Sequence, residues 1–238
     1  DRAQSLERAK TEFMQSASHE LKTPIAALNG IVEGMIDNVG KYKDKDTYLL
    51  ECKKLIDKFA LLVGEIINAS KFSDTEFTVE NTCFDIKTLL TDQIEGYQLL
   101  FQEKGIQLIF EAENRTLYSD PFILGRAISN LLSNASNYTL AGGRVLIRGQ
   151  NEDNRYVLCI ENQCDPIDVD KLDQLFEPFY TGVFSRNRQQ SGTGLGLYIV
   201  SQSLKKLNIK YQAENTEIGL RISLYISSDF SGREENMV

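Results

Sequence analysis

Histidine, proline and paired cysteines are scarce in this chain of 238 residues. The one histidine is His19, which excludes a metal site built from several histidines. The four cysteines contain no C-x-x-C pair, which favours buried thiols in a reducing cytoplasm over a zinc site or a disulfide framework. They are Cys52, Cys83, Cys159 and Cys164.

Long apolar runs and an excess of positive charge are also absent. No apolar run approaches the roughly 20 residues of a membrane span, and no signal-peptide pattern opens the sequence. The formal net charge of -8 argues against direct nucleic-acid binding, because that affinity comes from neutralising phosphates. The 42% of hydrophobic residues predicts a folded chain with one large domain or two modest ones.

Residues 1–75 carry a helical pattern of apolar residues at steps of three and four. The pattern predicts helices at 3–38 and 46–74, joined by a polar turn at 37–46. Two helices cannot bury seams this long, so we expect a homodimeric four-helix bundle, the alternative being a partner helix elsewhere in the chain. The two seams contain Leu6, Ala9, Phe13, Ala17, Leu21, Ile25, Leu28, Val32, Met35 and Val39, and Leu49, Cys52, Ile56, Phe59, Val63 and Ile66.

A predicted extended linker at 76–83 separates this region from a mixed pattern at 84–228, which a polar tail at 229–238 follows. The mixed region predicts an α+β sandwich, with helices on one face of a mixed sheet. Its predicted helices are 85–104, 121–138 and 194 to about 207. Its predicted strands are 106–111, 143–150, 155–162, 209–214 and 219–226.

The histidine lies in the segment SHELKTP, residues 18–24. His19 falls between seam positions, so its near-neutral imidazole is expected to point outward as a possible nucleophile. Thr23 shares its helical face one turn later, while Pro24 predicts a kink or loosened turn. Glu20 is adjacent and needs a particular rotamer to reach the ring. A solvated surface histidine is the alternative on these residues alone.

The segment NLLSNASNY, residues 130–138, places several amides on one side of a predicted helix. Asn130 and Asn134 are four residues apart and share a face, and Asn137 lies close to it. Their oxygens suit a hard cation, but they are neutral, so substrate phosphates would hold most of a Mg²⁺ ion. A polar solvated face explains the same pattern.

Glycines lead into the last predicted helix in the segment SGTGLGL, residues 191–197. Such glycines let backbone N–H groups approach phosphate oxygens at a helix N-terminus, although helix caps also use glycine. The polar loop at 181–191 contributes Arg186 and Arg188, which are either contacts for terminal phosphates or solvated arginines.

Together these segments resemble the cytoplasmic catalytic portion of a two-component sensor histidine kinase. SHELKTP resembles its H-box and NLLSNASNY its N-box, while FEPFY (176–180) resembles the F-box and GTGLGL the second glycine box. The resemblance implies a dimerisation and phosphotransfer hairpin at 1–75 and a Bergerat-type ATPase domain at 84–228.

The resemblance also implies roles for individual residues, with ATP and Mg²⁺ as cofactors. His19 would be the phosphoacceptor, Glu20 would orient its ring and accept the proton, and Thr23 would position water in the reverse reaction. An aspartate of a response-regulator receiver domain would take the phosphoryl group. The implied nucleotide site contains Asn130, Asn134, Asn137, Tyr138, Glu161, Asn162, Asp165, Arg186, Arg188, Gly192, Thr193, Gly194, Leu195 and Gly196, with Asn130 and Asn134 at the metal.

The chain departs from the family pattern in the first glycine box, where Asp-x-Gly-x-Gly is usual. Residues 160–167, IENQCDPI, lack both glycines; Glu161 best matches the adenine-reading aspartate and Asp165 is the alternative. The N-box also has Asn137 where lysine is common. A weak or inactive kinase that serves as a dimeric phosphatase or docking scaffold is therefore the second interpretation.

Two further expectations follow from the resemblance. A chaperone-like or topoisomerase-like ATPase would share only the second domain, and the phosphoacceptor hairpin argues against it. A chain that opens within a helical lead-in is expected to be the cytoplasmic part of a membrane-anchored sensor, with any membrane contact made by parts missing here.

Overall fold

The computed structural model describes residues 2–73, 78–181 and 192–227, with side chains of the first range described from residue 11 to residue 70. The chain divides into two compact units, Asp1–Asp74 and Thr75–Val238. The predicted tail at 229–238 lies outside the described residues, as do Arg186 and Arg188. None of the described helices is long and apolar enough to cross a membrane.

The first unit is a helical hairpin. Helix α1 spans Arg2–Ile36 and helix α2 spans Lys45–Ser73, with a short 3-10 turn at Gly40–Lys43 between them. Asp44 caps the start of α2, because its carboxylate accepts hydrogen bonds from the Thr47 hydroxyl at 2.6 Å and the Thr47 N–H at 3.3 Å. These two hydrogen bonds, the hydroxyl's first, lower the pKa of Asp44.

Contact between α1 and α2 covers only part of the predicted apolar seams. Between residues 11 and 70, the buried residues of the hairpin are Phe13, Ala17, Met35, Cys52, Leu62 and Ala69. Other seam positions face outward in the single chain, where Ile56 is 50% exposed to solvent and Leu49 is 57% exposed. One hairpin therefore leaves a second apolar surface uncovered, which soluble proteins usually bury in an interface.

The described residues of the second unit form seven strands and three α-helices. The strands are β1 (Thr82–Asp85), β2 (Gln107–Ala112), β3 (Thr116–Ser119), β4 (Arg144–Glu152), β5 (Arg155–Gln163), β6 (Lys210–Asn215) and β7 (Gly219–Ser227). The helices are α3 (Ile86–Glu103), α4 (Pro121–Tyr138) and α5 (Gly196–Lys206). Five strands form one mixed sheet in the order β2-β4-β5-β7-β6, in which only β2 and β4 are parallel.

One continuous core fills the space between this sheet and the three helices. Alternate residues of the central strands, such as Ile147, Leu158 and Ile222, are buried together with Leu124 and Ile128 of α4. Successive strand residues point to opposite faces, so the core side chains identify the face that the helices cover. The predicted α+β sandwich with a mixed sheet is confirmed.

A small antiparallel ribbon of β1 and β3 was not predicted. Thr82 pairs with Ser119 and Asp85 with Thr116, so β1 begins inside the segment predicted as a linker at 76–83. Strands of four residues are too short to carry a clear alternation, and their pairing depends on contacts between distant parts of the chain.

Asp120 fixes the start of α4 and the chain before β1 at the same time. Its buried carboxylate accepts hydrogen bonds from the N–H groups of Phe122 and Ile123, each at 3.0 Å, and of Glu80 at 2.9 Å. Pro121 follows at the first helical position, where its missing N–H costs nothing. Three backbone donors thus depend on one side chain.

The variant Asp120→Ala is expected to lower the free energy of unfolding by about 2 to 3 kcal/mol, because buried N–H groups lose their acceptor. Asp120→Asn keeps one amide oxygen and should lose only about 1 kcal/mol. Chemical denaturation of the full chain followed by circular dichroism measures both. Equal losses for the two variants would contradict the capping role.

Candidate functional site

The predicted amide face lies on α4, beside the start of α5. Asn130 Nδ2 donates to the Arg126 carbonyl at 2.9 Å, which fixes the amide and leaves Oδ1 directed away from that carbonyl. A methyl group built on Gly196 would lie 3.6 Å from Asn130 Oδ1, so the first residue of α5 lies close to this oxygen. Asn134 is half-buried one turn further along α4, and Asn137 is exposed.

The carboxyl end of α4 meets the glycine-rich segment through Tyr138. A methyl group on Gly192 would lie 3.8 Å from Tyr138 Oη. Burial raises the pKa of the Tyr138 phenol, and a hydrogen bond with the Gly192 backbone acts against this rise. The described glycine-rich segment therefore contacts α4 near both Asn130 and Tyr138.

Helix α5 begins without a polar N-cap residue. Its N-cap residue is Leu195, which is fully buried and whose side chain forms no capping hydrogen bond. The Leu195 N–H donates to Thr193 Oγ1 at 3.3 Å, and the first turn carries no acidic residue. The positive end of the helix dipole, with the N–H groups that a first helical turn directs away from the helix, favours an anion at this position.

Gly194 locks the glycine-rich segment to the FEPFY segment. Phe179 N–H donates to the Gly194 carbonyl at 3.0 Å, and both residues have positive φ, 63° at Phe179 and 74° at Gly194. A Cβ atom on Gly194 would lie 2.6 Å from the Phe179 carbonyl carbon. Only glycine fits here, because both the conformation and the close approach of backbone exclude a side chain.

The end of β5 contributes two polar residues that point to opposite faces of the sheet. Asn162 pairs with Val145 and Leu220, both buried, and belongs to the face that the helices cover. Glu161 pairs with Leu146 and Arg221 on the other face. The two neighbours therefore cannot serve the same site.

Glu161, the residue predicted to contact adenine, is held by other side chains. It is buried, and one carboxylate oxygen accepts from Arg221 Nη2 at 2.9 Å while the other accepts from Thr216 Oγ1 at 2.5 Å. Hydrogen bonds to Glu161 raise the pKa of Arg221. The carboxylate is thus engaged in a structural ion pair, away from the helices.

Asn162 lies on the face that the helices cover and has a side-chain donor without an acceptor in the described part of the chain. It is buried, and its Nδ2 has no hydrogen-bond acceptor of good geometry among the described residues. Burial raises the pKa of the neighbouring Cys164 thiol, while interactions with the Leu220 backbone and with the Asn162 side chain act against this rise. Asp165, the alternative match to the family's aspartate, is exposed in the following loop. An unpaired buried amide is costly, which makes it a marker for a ligand contact.

Asn215 positions the loop that follows β5, a role that no local pattern predicted. Its Oδ1 accepts the Ile167 N–H at 2.9 Å and its Nδ2 donates to the Ile167 carbonyl at 2.5 Å. The two residues are 48 positions apart, so only the sheet order β5-β7-β6 brings them together.

His19 belongs to the first unit and is exposed on α1, as predicted. Thr23 Oγ1 donates to the His19 carbonyl at 3.3 Å, which places the two residues on one helical face. Helix α1 continues through Pro24 without a break in its assigned span. Glu20 is exposed, and no hydrogen bond joins it to the His19 ring in the described part of the chain.

The variant Gly194→Ala is expected to lower the free energy of unfolding by about 2 to 4 kcal/mol, because it adds backbone strain and a clash with Phe179. Gly192→Ala is the matched control and should change it by less than about 0.5 kcal/mol, since its nearest neighbour lies at ordinary contact distance. Denaturant titration of the two full-length variants compares them. Similar losses would refute the locking contact.

Residues 119–229 match the family described as Histidine kinase-, DNA gyrase B-, and HSP90-like ATPase. The sensor protein VanSB of Enterococcus faecalis is 34% identical over 220 residues, which are 92% of this chain and 49% of that protein. The chain spans about half the length of the curated relatives of this kind.

Two solved structures share the fold. The histidine kinase AdeS of Acinetobacter baumannii has a TM-score of 0.71 at 23% identity, and the match covers 89% of this chain and 98% of that chain. The histidine kinase ThkA, solved in complex with the response regulator protein TrrA, has a TM-score of 0.75 at 19% identity, covering 92% and 61%. The two structures show the fold alone, whereas the family match and the sequence relatives show that the chain belongs to the sensor histidine kinase family.

Proposed function

We propose that the second unit binds ATP with Mg²⁺ and that the γ-phosphoryl group is transferred to His19, then to an aspartate of a response-regulator receiver domain. One observation carries the proposal: the amides of α4 and the N-terminus of α5 lie side by side, since a methyl group built on Gly196 would lie 3.6 Å from Asn130 Oδ1. Neutral oxygens beside an open helix N-terminus suit a metal-bound phosphate chain.

Asn130 and Asn134 are the residues that would hold Mg²⁺, which neutralises phosphate charge when bound. The fixed amide of Asn130 offers Oδ1, and the Asn134 side chain has no hydrogen-bond partner in the described part of the chain. No cluster of three acidic, histidine or cysteine ligands occurs among the described residues, so substrate phosphates would supply most of the remaining ligands.

Asn162 is our proposed contact for the adenine base. Its amide combines a donor and an acceptor, which match the N1 acceptor and the N6 amino donor of adenine. The orphaned Nδ2 supports this assignment, since a bound base would satisfy it. Tyr138, Asn137 and the glycine-rich segment would border the same nucleotide.

Phosphoryl transfer would use the exposed imidazole of His19 as nucleophile. A bond forms between an imidazole nitrogen and the γ-phosphorus, the bond from that phosphorus to the β,γ-bridging oxygen breaks, and ADP leaves. Glu20 would accept the proton of the second ring nitrogen, which keeps the attacking nitrogen nucleophilic. Positioning and charge stabilisation provide most of the catalysis in such transfers.

A homodimer and a receiver domain are the partners we propose. The outward apolar positions of the hairpin, such as Leu49 and Ile56, support a second copy that completes a four-helix bundle. ThkA was solved with a response regulator, and we infer a partner of the same class for this chain. Thr23 would position water for the reverse dephosphorylation. We assign 1–75 to phosphotransfer and 84–228 to ATP binding.

Two single variants, at neighbouring positions near the end of β5, test the proposed contact with the base. Asn162→Ala should weaken ATP binding by about tenfold or more while leaving the melting temperature nearly unchanged, because Nδ2 is unsatisfied without ligand. Glu161→Gln should lower the melting temperature and leave ATP affinity nearly unchanged, because it breaks a buried ion pair but removes no proposed ligand contact. Calorimetry and thermal unfolding measure the two effects, and the opposite pattern would restore Glu161 as the contact.

Labelling with radioactive ATP and Mg²⁺ tests the phosphoacceptor. The chain is expected to take up label that is lost in acid and retained in base, as for a phosphoramidate. His19→Gln should lose the label completely, whereas Ser18→Ala should retain it because the adjacent hydroxyl is not the acceptor.

Two outcomes would count against the kinase proposal. Acid-stable label that disappears in Ser18→Ala would identify Ser18, and not His19, as the phosphoacceptor. No label together with no ATP binding would favour a dimeric docking scaffold for the regulator.

A further inference from the structure

Lys104 is held in a fixed position at the end of α3. Gly105, with φ of 64°, donates to the Gln102 carbonyl at 3.0 Å, and Ile106 N–H donates to the Phe101 carbonyl at 2.8 Å. This pair of hydrogen bonds is a Schellman motif, and buried Phe101 and Ile106 provide its apolar contact. The backbone that carries the Lys104 side chain is therefore rigid.

The Lys104 ammonium reaches the carboxyl-terminal turn of α4. Nζ donates to the Ser136 carbonyl at 2.7 Å, to Ser136 Oγ at 3.3 Å and to Asn137 Oδ1 at 3.4 Å. All three acceptors are neutral, and no carboxylate of the described residues forms an ion pair with Lys104. A full positive charge thus lies beside the amide face without a counter-charge.

We propose that Lys104 contacts the phosphate groups of the bound nucleotide and supplies the charge that the neutral amide face lacks. This inference rests on the proposed ATP binding by the second unit. Nζ has three donors on a flexible stem, so it can keep the short bond to Ser136 and exchange the long bond to Asn137 for a phosphate oxygen.

A purely structural role for Lys104 makes a different prediction. An ammonium bound to the last carbonyls of α4 also complements the negative end of that helix dipole. Loss of such a cap would affect stability and would weaken every ligand of the domain alike. A phosphate contact would instead distinguish ATP from adenosine, because adenosine carries the base without the charge.

Calorimetric titration of the full chain with ATP and with adenosine separates the two roles. Lys104→Met should weaken ATP binding by about tenfold and change adenosine binding by less than about twofold. Lys104→Arg should retain most of the ATP affinity, because the charge remains. Lys87→Met, on the exposed first turn of the same helix, is the matched control and should bind both ligands as the unmodified chain does.

Moving the positive charge from Lys104 to Asn137, its neighbour in space, gives a stricter test. The double variant Lys104→Met with Asn137→Lys should recover ATP affinity to within about threefold of the unmodified chain. The new ammonium is carried by the residue on α4 that the Lys104 side chain contacts. Recovery would support the phosphate contact over the cap.

Unchanged ATP binding in Lys104→Met, or equal weakening of ATP and adenosine, would overturn the inference while leaving the proposed function intact. Failure of the unmodified chain to bind ATP would overturn both proposals.

Discussion

The contact between α4 and the start of α5 is the constraint on which the proposed nucleotide site depends. Gly196 approaches Asn130 closely, and Leu195 is fully buried beneath the turn that opens the helix. Leu131 and Leu132 anchor α4 in the core, so the amide face cannot rotate without breaking that packing. The donors of α5 and the oxygens of α4 are therefore held in place before any ligand arrives, which lowers the cost of ordering them on binding.

Most elements of the second unit were predictable because local signals agree. The helix at 121–138, predicted from its regular apolar period, coincides with the observed Pro121–Tyr138, and the structure shows that the capping Asp120 and Pro121 favour the same start. Strands β1 and β3 lacked such agreement. Four residues carry at most two alternations, and their partners lie more than 30 residues away along the chain.

The difference between Glu161, the residue predicted to contact adenine, and Asn162, the residue proposed from the structure, has a simple physical origin. Glu161, Asn162 and Gln163 are consecutive polar residues at the end of an otherwise apolar strand, so hydrophobicity does not reveal which of them faces the helices. A shift of one residue moves a side chain to the opposite face of a sheet. The structure pairs Glu161 with Arg221 on the face away from the helices, and a single sequence gives no indication of that long-range pairing.

The positive charge beside the proposed nucleotide site also could not be predicted from local sequence. The recognised segments around α4 and α5 offer amides and backbone N–H groups, and the chain as a whole carries a net charge of -8. Lys104 lies 33 residues before Asn137, outside every recognised segment, and reaches α4 only because α3 packs against it. Charge for an anionic ligand can thus come from tertiary packing rather than from the motif that binds it. A motif that lacks its usual lysine is therefore insufficient grounds for inferring a weak site, because the number of nearby cations depends on the fold.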